Sequence, residues 1–250
     1  MEQDQILNRA HLPILVVEDD GFFRNVVRSV LSSVGFQDIT EADSGRSAVA
    51  LLSKRSFQVI LSDVQMPLMN GLELLQQIRS GQTPAPRDTR VIILTSFSNT
   101  EVLGSALALD VNGFLVKPMK PNDVLTKISG ALNETINLRS EIVYKSINTN
   151  LDILTVQSHR PVLVEGGPPP PKQGVATAGY VVTSKAVEKP NNRKQVPLLE
   201  LKPGALVAED ILFKNGNLLL PAGLRIDQVV INRLLELRIL LKEDSVWVGY

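Results

Sequence analysis

Four apolar, β-branched runs in this chain each end at a residue that can meet a cation or a phosphate. Ile14-Leu15-Val16-Val17 leads into Glu18-Asp19-Asp20, Val59-Ile60-Leu61-Ser62 into Asp63, Val91-Ile92-Ile93-Leu94 into Thr95, and Gly113–Val116 into Lys117-Pro118. Amphipathic stretches separate the runs. Strands alternating with helices imply right-handed βαβ crossovers and a parallel sheet. In an open parallel sheet the carboxyl ends of the strands meet at one crevice. The pattern therefore gathers acids, a hydroxyl and a lysine at one edge.

Candidate strands are Pro13–Glu18, Asp38–Glu41, Phe57–Ser62, Arg90–Thr95 and Gly113–Lys117, and candidate helices are Gly21–Val34, Ser44–Lys54, Gly71–Ser80, Asn99–Leu109 and Pro121–Asn133. The uninterrupted apolar runs suit central strands buried on both faces, whereas the more polar Asp38–Glu41 suits an edge. Ser44 is placed to cap a helix, as is Asn99 or Thr100. Pro121 fits a first helical turn, and Gly35 fits the position just past a helix end. Gly81 to Asp88 reads as a loop on the side of the sheet away from the acids.

The chain has 250 residues, enough for one large domain or two small ones. Its 26 basic and 26 acidic residues cancel, so no global field favours nucleic acid or an anionic membrane. With no cysteine, disulfides, thiolate catalysis and cysteine zinc sites are excluded. Met1 to His11 lacks the basic start and apolar stretch of a signal peptide, and no apolar run has membrane-spanning length. A cytoplasmic protein is expected. His11 and His159 have no further ligand at metal spacing, and no G-x-x-x-x-G-K-[ST] phosphate loop occurs.

Beyond Leu138 the periodicity weakens, although Glu141–Ile147 keeps helical character. Residues 159–196 shift to glycine and proline, with Pro168 to Pro171 consecutive. Such a segment cannot bury enough apolar surface to offset its ordering entropy and reads as a linker. Val162-Leu163-Val164 and Tyr180-Val181-Val182 are apolar islands within it. Order returns at 197–250, with short strands at Ala205–Ala208 and Ile211–Phe213 and an Asn215-Gly216 hairpin suited to a type I′ turn. A return strand Leu218–Leu220 follows. Asp227 then caps a helix to about Leu240, with Val230, Leu234, Leu237 and Leu241 on one face, and Ser245–Tyr250 forms a closing strand. A core of about 55 residues is marginal alone. The module is expected to pack on the N-terminal unit, the linker, another copy or a partner.

Each landmark also has a plain structural reading. Acids at strand ends are often solvated or cap helices, Thr95 could bond backbone, and Phe114 could be core. Their order along one fold pattern is what distinguishes them. That set, with Val16-Val17-Glu18-Asp19, Asp63, Met66-Pro67, Asn70-Gly71, Thr95 and Lys117-Pro118, resembles the phosphoacceptor receiver domain of two-component response regulators.

The resemblance covers residues 12–135. It implies a flavodoxin-like α/β fold, a five-stranded parallel sheet with helices on both faces, to which a small α+β C-terminal module is added. Helical extension 136–158, linker 159–196 and module 197–250 complete the expected organisation. The resemblance assigns the phosphoacceptor to Asp63. It assigns Mg²⁺ to Asp19, Asp63 and the Gln65 carbonyl, with Glu18 acting through water. Lys117 and Thr95 would engage the phosphoryl oxygens, and the Lys117–Pro118 bond would be cis. Thr95 and Phe114 would form the switch, with Phe114 turning inward and the face from Asn99 to Asn133 repacking.

The implied donor is a histidine kinase or histidine phosphotransfer protein, the output an interaction with a downstream protein, and a phosphorylation-dependent homodimer is allowed. No catalysis beyond self-phosphotransfer and autodephosphorylation is expected. Lys202-Pro203-Gly204, Ala208-Glu209-Asp210 and the Asn215-Gly216 hairpin resemble an accessory module found beside some response regulators and HD-GYP-type phosphodiesterases, whose metal motifs this chain lacks. A DNA-binding regulator is the alternative. It is disfavoured because residues 198–250 carry six Lys/Arg against seven Asp/Glu and a single long helix.

Overall fold

The computed structural model describes residues 9–96, 100–151, 192–216 and 218–249, with backbone alone at 100 and 101. The expected cap at Asn99, His159 and both linker islands lie outside the described residues.

Strands β1 (Ile14–Val17), β3 (Val59–Asp63) and β4 (Arg90–Thr95) are the most apolar and lie inside a five-stranded parallel sheet. Its order is β2-β1-β3-β4-β5, with β2 (Ile39–Ala42) and β5 (Gly113–Val116) at the edges. This is the flavodoxin-like order, and the polar strand is at an edge as its composition requires. The pleat sends alternate residues to opposite faces. Ile14, Val16, Leu61, Ile92 and Leu94 meet α1 (Gly21–Ser33) and α5 (Pro121–Asn133) in one core. Leu15, Val17, Ile60, Val91, Ile93 and Phe114 join a second core with α2 (Gly45–Leu52), α3 (Gly71–Arg79) and α4 (Thr100–Ala108).

The expected boundary signals act at their positions. Ser44 and Ser47 form a capping box on α2, Pro121 opens α5, and Gly35 takes φ +97° where α1 ends. Asp20, whose role the sequence leaves open, caps α1 by accepting the N–H groups of Phe22 and Phe23 at 2.8 and 3.0 Å.

The extension adds a short helix, α6 (Glu141–Lys145), laid along α3. Gln76 Nε2 donates to the carbonyls of Tyr144 and Ile147, and Asn70 Nδ2 to that of Thr149. The buried Tyr144 hydroxyl donates to Asp110 Oδ2 at 2.6 Å.

Arg193–Pro197 (β6), which falls across the expected end of the linker, is instead an edge strand paired antiparallel with β10 (Ser245–Gly249). Its residues are polar except Val196 and the terminal Pro197, and only Val196 is buried among 193–196, so no periodicity marks it. β7 (Leu206–Val207) completes this sheet, and β8 (Ile211–Leu212) pairs with β9 (Leu218–Leu220). The type I′ turn is not formed. Of the pair Asn215-Gly216, only Gly216 takes a positive φ, +86°, and its N–H bonds the Phe213 carbonyl, while the register shifts between Ile211 and Leu212. A bulged ladder accommodates a turn with one left-handed residue, which a two-residue I′ loop would not.

Helix α7 (Gln228–Leu237) is capped by Asp227 and continues as a 3₁₀ turn over Arg238–Leu240. The module packs on the α/β unit. β9 lies against α4, and Leu219, Leu234 and Leu237 share the core of Leu103 and Ala106. Among the described residues, no helix is long and apolar enough to cross a membrane.

Arg79 is fully buried at the end of α3. It donates to the carbonyls of Arg87, Thr89 and Asp110 and to Asn112 Oδ1. Burial lowers its pKa to about 10, which leaves it charged at neutral pH. One side chain thus ties the 81–89 loop to the α4–β5 connection. Arg79→Met would leave these buried acceptors unpaired, at roughly 1–3 kcal/mol for each group not re-solvated. Urea unfolding is expected to show a loss of at least about 3 kcal/mol.

Candidate functional site

The carboxyl ends of β1, β3, β4 and β5 form one crevice, as their order requires. Glu18 follows β1 and is 2% exposed, Asp63 ends β3, Thr95 ends β4, and Lys117 directly follows β5 and is joined to Pro118 by a cis bond. Lys117 Nζ bridges the first two acids, 2.6 Å from Glu18 Oε2 and 2.9 Å from Asp63 Oδ1. Carboxylate oxygens of Glu18, Asp19 and Asp63 lie within 4.8 Å of one another. Gln65 sits two residues past Asp63 with an exposed side chain. The Lys117 N–H bonds the Thr95 carbonyl at 2.9 Å, which fixes the two strand ends to each other.

Three like charges this close repel, and local geometry supplies the compensation. Arg24, one turn into α1, donates to the carbonyls of Glu18 and Asp19 at 2.6 and 3.3 Å and pairs with Glu41 at 3.4 Å. The Phe23 ring lies 5.3 Å from Lys117 Nζ, within reach of a cation–π contact. Gly71 is required by close approach, because a Cβ there would meet the Asp63 carbonyl at 2.1 Å. The β3–α3 loop can fold back over the end of β3 only with glycine at that position.

The two partners of the ion pair respond differently. Burial raises the Glu18 pKa by more than the Lys117 hydrogen bond lowers it. Burial also pulls Lys117 down, but hydrogen bonds to Glu18 and Asp63, with their charges, outweigh it and leave the lysine raised. The difference is the neighbouring Asp63 charge, which raises both groups and so opposes ionisation of Glu18 while favouring that of Lys117. Ionised Glu18 is therefore held at a cost, and the site suits a further positive charge. The available donors are hard carboxylate oxygens, which fit Mg²⁺ better than a softer metal.

The response regulator receiver domain family matches residues 14–129. Chemotaxis protein CheY-3 of Vibrio cholerae is 34% identical over 115 residues, covering 46% of this chain and 86% of that protein. The chain belongs to the response regulator receiver family. A CheY homologue of Campylobacter jejuni is 32% identical over 122 residues, covering 48% of this chain and 92% of that protein. The solved structure of Vibrio cholerae CheY4 aligns at 32% identity and a TM-score of 0.44, over 48% of this chain and 98% of that one.

The receiver's candidate residues thus fall in two places. Glu18, Asp19, Asp63, Gln65, Thr95 and Lys117 stand at or beside the crevice. Phe114 lies further back on β5 and is only 4% exposed, so any turn of its ring starts from a buried position. Arg24 and Phe23 are neighbours of the crevice that the sequence pattern does not single out. An arginine six residues after an acid, one helical turn past a capped strand end, is a signal that could have located the first.

Folding raises the Glu18 pKa above its ordinary 4.5, so its contribution to stability is full below pH 4.5 and is lost as the pH rises through the raised value. Without divalent cations, Glu18→Gln should raise the melting temperature at pH 7 by a few degrees. The gain should vanish near pH 4, where Glu18 itself is protonated. Paired thermal melts test this. A lower melting temperature at pH 7 would mean that the Lys117 pair outweighs the burial of Glu18.

Proposed function

We propose that this receiver is the switch of a phosphorelay, with Asp63 accepting a phosphoryl group from the phosphohistidine of a histidine kinase or phosphotransfer protein in the cytoplasm. The observation that carries this reading is the Lys117 ammonium held between Glu18 and Asp63, in a crevice that also presents Asp19. An anionic nucleophile must approach an anionic phosphoryl group, and the barrier is set largely by charge and alignment.

An Asp63 oxygen attacks phosphorus in line with the histidine nitrogen. The new P–O bond forms as the N–P bond breaks, and the imidazole leaves with the electron pair and takes a proton. In this reading Lys117 neutralises a phosphoryl oxygen as a point charge, and Thr95 donates a hydrogen bond to another. Mg²⁺, when bound, would offset the repulsion between nucleophile and phosphoryl oxygens. Asp19, Asp63 and the Gln65 carbonyl would hold it, with Glu18 acting through water. Arg24 keeps the Glu18–Asp19 backbone in place for that role.

Residues 12–135 are the phosphoacceptor unit in this reading, and 136–158 extend it. A linker and the C-terminal module follow. The output is a change in protein–protein contacts at the α4–β5–α5 face, with no catalysis beyond the receiver's own transfer and dephosphorylation. Helix α7 turns Arg233 inward on the receiver, so this arginine is not available to a DNA groove, which favours the protein-contact reading.

Asp63→Asn keeps the side chain's shape and removes the nucleophile. With labelled phosphohistidine protein or a small acyl phosphate as donor, the parent chain should acquire one acid-stable, base-labile phosphoryl group and the variant none. Stoichiometric labelling of the variant would overturn the assignment.

A further inference from the structure

The loop Val64–Asn70 carries Gln65 from the end of β3 to the start of α3. Leu68, at 78% exposure, takes φ +70° within it. A residue with a side chain stays in that left-handed region only where its surroundings hold it. Three contacts do so here. The Gly71 N–H bonds the Val64 carbonyl at 3.0 Å. Met69 lies against Gly45 at the start of α2, where a Cβ would meet the Met69 carbonyl oxygen at 2.7 Å. Asn70 Nδ2 donates to the Thr149 carbonyl at 2.9 Å. The first two contacts lie inside the α/β unit, and the third comes from the extension beyond α5.

Asn70 is buried and uses its side chain twice. Its Oδ1 accepts the Glu73 N–H at 2.9 Å and caps α3. An aspartate would cap as well, and its charge would suit a helix N-terminus. Only the amide adds a donor, and that donor goes to Thr149. Residues 139–149 are themselves held along their length. Arg87 donates to the Arg139 carbonyl at 2.7 Å, and Arg139 donates to the Ala108 carbonyl and pairs with Asp110 at 3.1 Å. The Tyr144 hydroxyl accepts the Arg139 N–H at 3.0 Å while it donates to Asp110. Gln76 of α3 then fixes the carbonyls of Tyr144 and Ile147. Polar contacts therefore run from Asp110, along the extension, to the loop beside the acceptor.

We propose that residues 139–149 are a strap that positions the β3–α3 loop for Mg²⁺, with Asn70 as the positioning residue. The inference rests on the phosphoacceptor reading and on Asp19, Asp63 and the Gln65 carbonyl as its metal ligands. Asn70 meets neither the ion nor the phosphoryl group. By tying Asn70 to Thr149, the strap narrows the loop to one arrangement before the ion arrives, so the ion does not have to order Gln65 itself. An ion that binds only chains with the loop in place shows an affinity reduced by the fraction of chains in that state. Loosening the strap lowers this fraction and leaves the chemistry of the loaded site unchanged.

The test uses the full, unphosphorylated chain and Mg²⁺ alone, with binding read by calorimetry. Asn70→Ser keeps a capping oxygen for Glu73 and loses the donor to Thr149. Gln76→Ala loosens the strap further along α3 without touching the loop. Both variants should weaken Mg²⁺ binding about three- to tenfold, while the rate of self-phosphorylation from a small acyl phosphate at saturating Mg²⁺ stays parental. In the metal-free variants the Gly71 amide should exchange faster than in the parent, and saturating Mg²⁺ should restore its protection. Combining the two substitutions should weaken binding no more than the stronger one alone, because both release the same strap. Parental Mg²⁺ affinity in both folded variants overturns the strap and leaves the phosphoacceptor reading standing. A lower rate that saturating Mg²⁺ does not recover also overturns it, since the loss would then lie in the fold and not in the loop. Failure of the parent chain itself to bind Mg²⁺ overturns the metal assignment along with the strap.

Discussion

The repulsion among Glu18, Asp19 and Asp63 is the constraint on which the rest of the receiver turns. A parallel sheet of this order brings these carboxylates together, and the fold tolerates them because Lys117 is lodged between two of the three. That arrangement is not the most stable that the site could have. Glu18 is held ionised against burial, so the crevice keeps a standing preference for added positive charge. A site that resists its own charge is also a site that responds when that charge changes. Any change of charge at the crevice would therefore exchange free energy with the positions of the strand ends.

The ionic cluster at the module also buries a carboxylate whose pKa burial raises, Glu134, but it gathers more partners around its cation. Arg233 is almost wholly desolvated and is met by two carboxylates and a carbonyl, and Asn112 shares Glu134 with it. Removing one partner from such a group costs about 3–5 kcal/mol, because the other charge is left buried and unpaired. The same Asn112 accepts from Arg79 at 2.8 Å, so polar contacts run unbroken from the end of α3 to the module. The α4–β5 connection is thereby fixed from both sides. β5 is anchored firmly at its start and held at its end by a lysine shared between acids, the place where the network can give.

Much of the crevice was legible because strand ends carry their chemistry in sequence. An apolar run marks each strand, its last residue marks the edge, and residues far apart are brought together by topology alone. The central placement of β1, β3 and β4 followed from their apolar character. What could not be read depended on contacts without period. β6 is polar and gains its place only by pairing with β10, fifty residues away at Gln195 and Ser245. Arg79 resembles any arginine at the end of a helix until the loop carbonyls around it are known. Arg233 lies in a charged pattern, Asn-Arg…Glu, that looks like a solvated face, yet it points into an interface. The Asn215-Gly216 pair was correctly a turn but of another type, because the bulge that decides it lies in the flanking strands.

The open edge of β5 explains why the module sits where it does. An edge strand presents unpaired N–H and C=O groups, and natural sheets cover or charge them. β2, the opposite edge, is protected by its own polar residues and by Arg24 and Arg28, both of which pair with Glu41. β5 has no such protection within the strand, since Gly-Phe-Leu-Val carries no charge. Gly113 leaves room for the Lys127 stem to cross the strand: a Cβ there would meet Lys127 Cδ at 2.7 Å. The lysine then holds Glu236 against the Phe114 N–H. The covering is only partial, because Val116 remains exposed next to Lys117. The module thus closes the half of the edge remote from the crevice and leaves the half beside the crevice open.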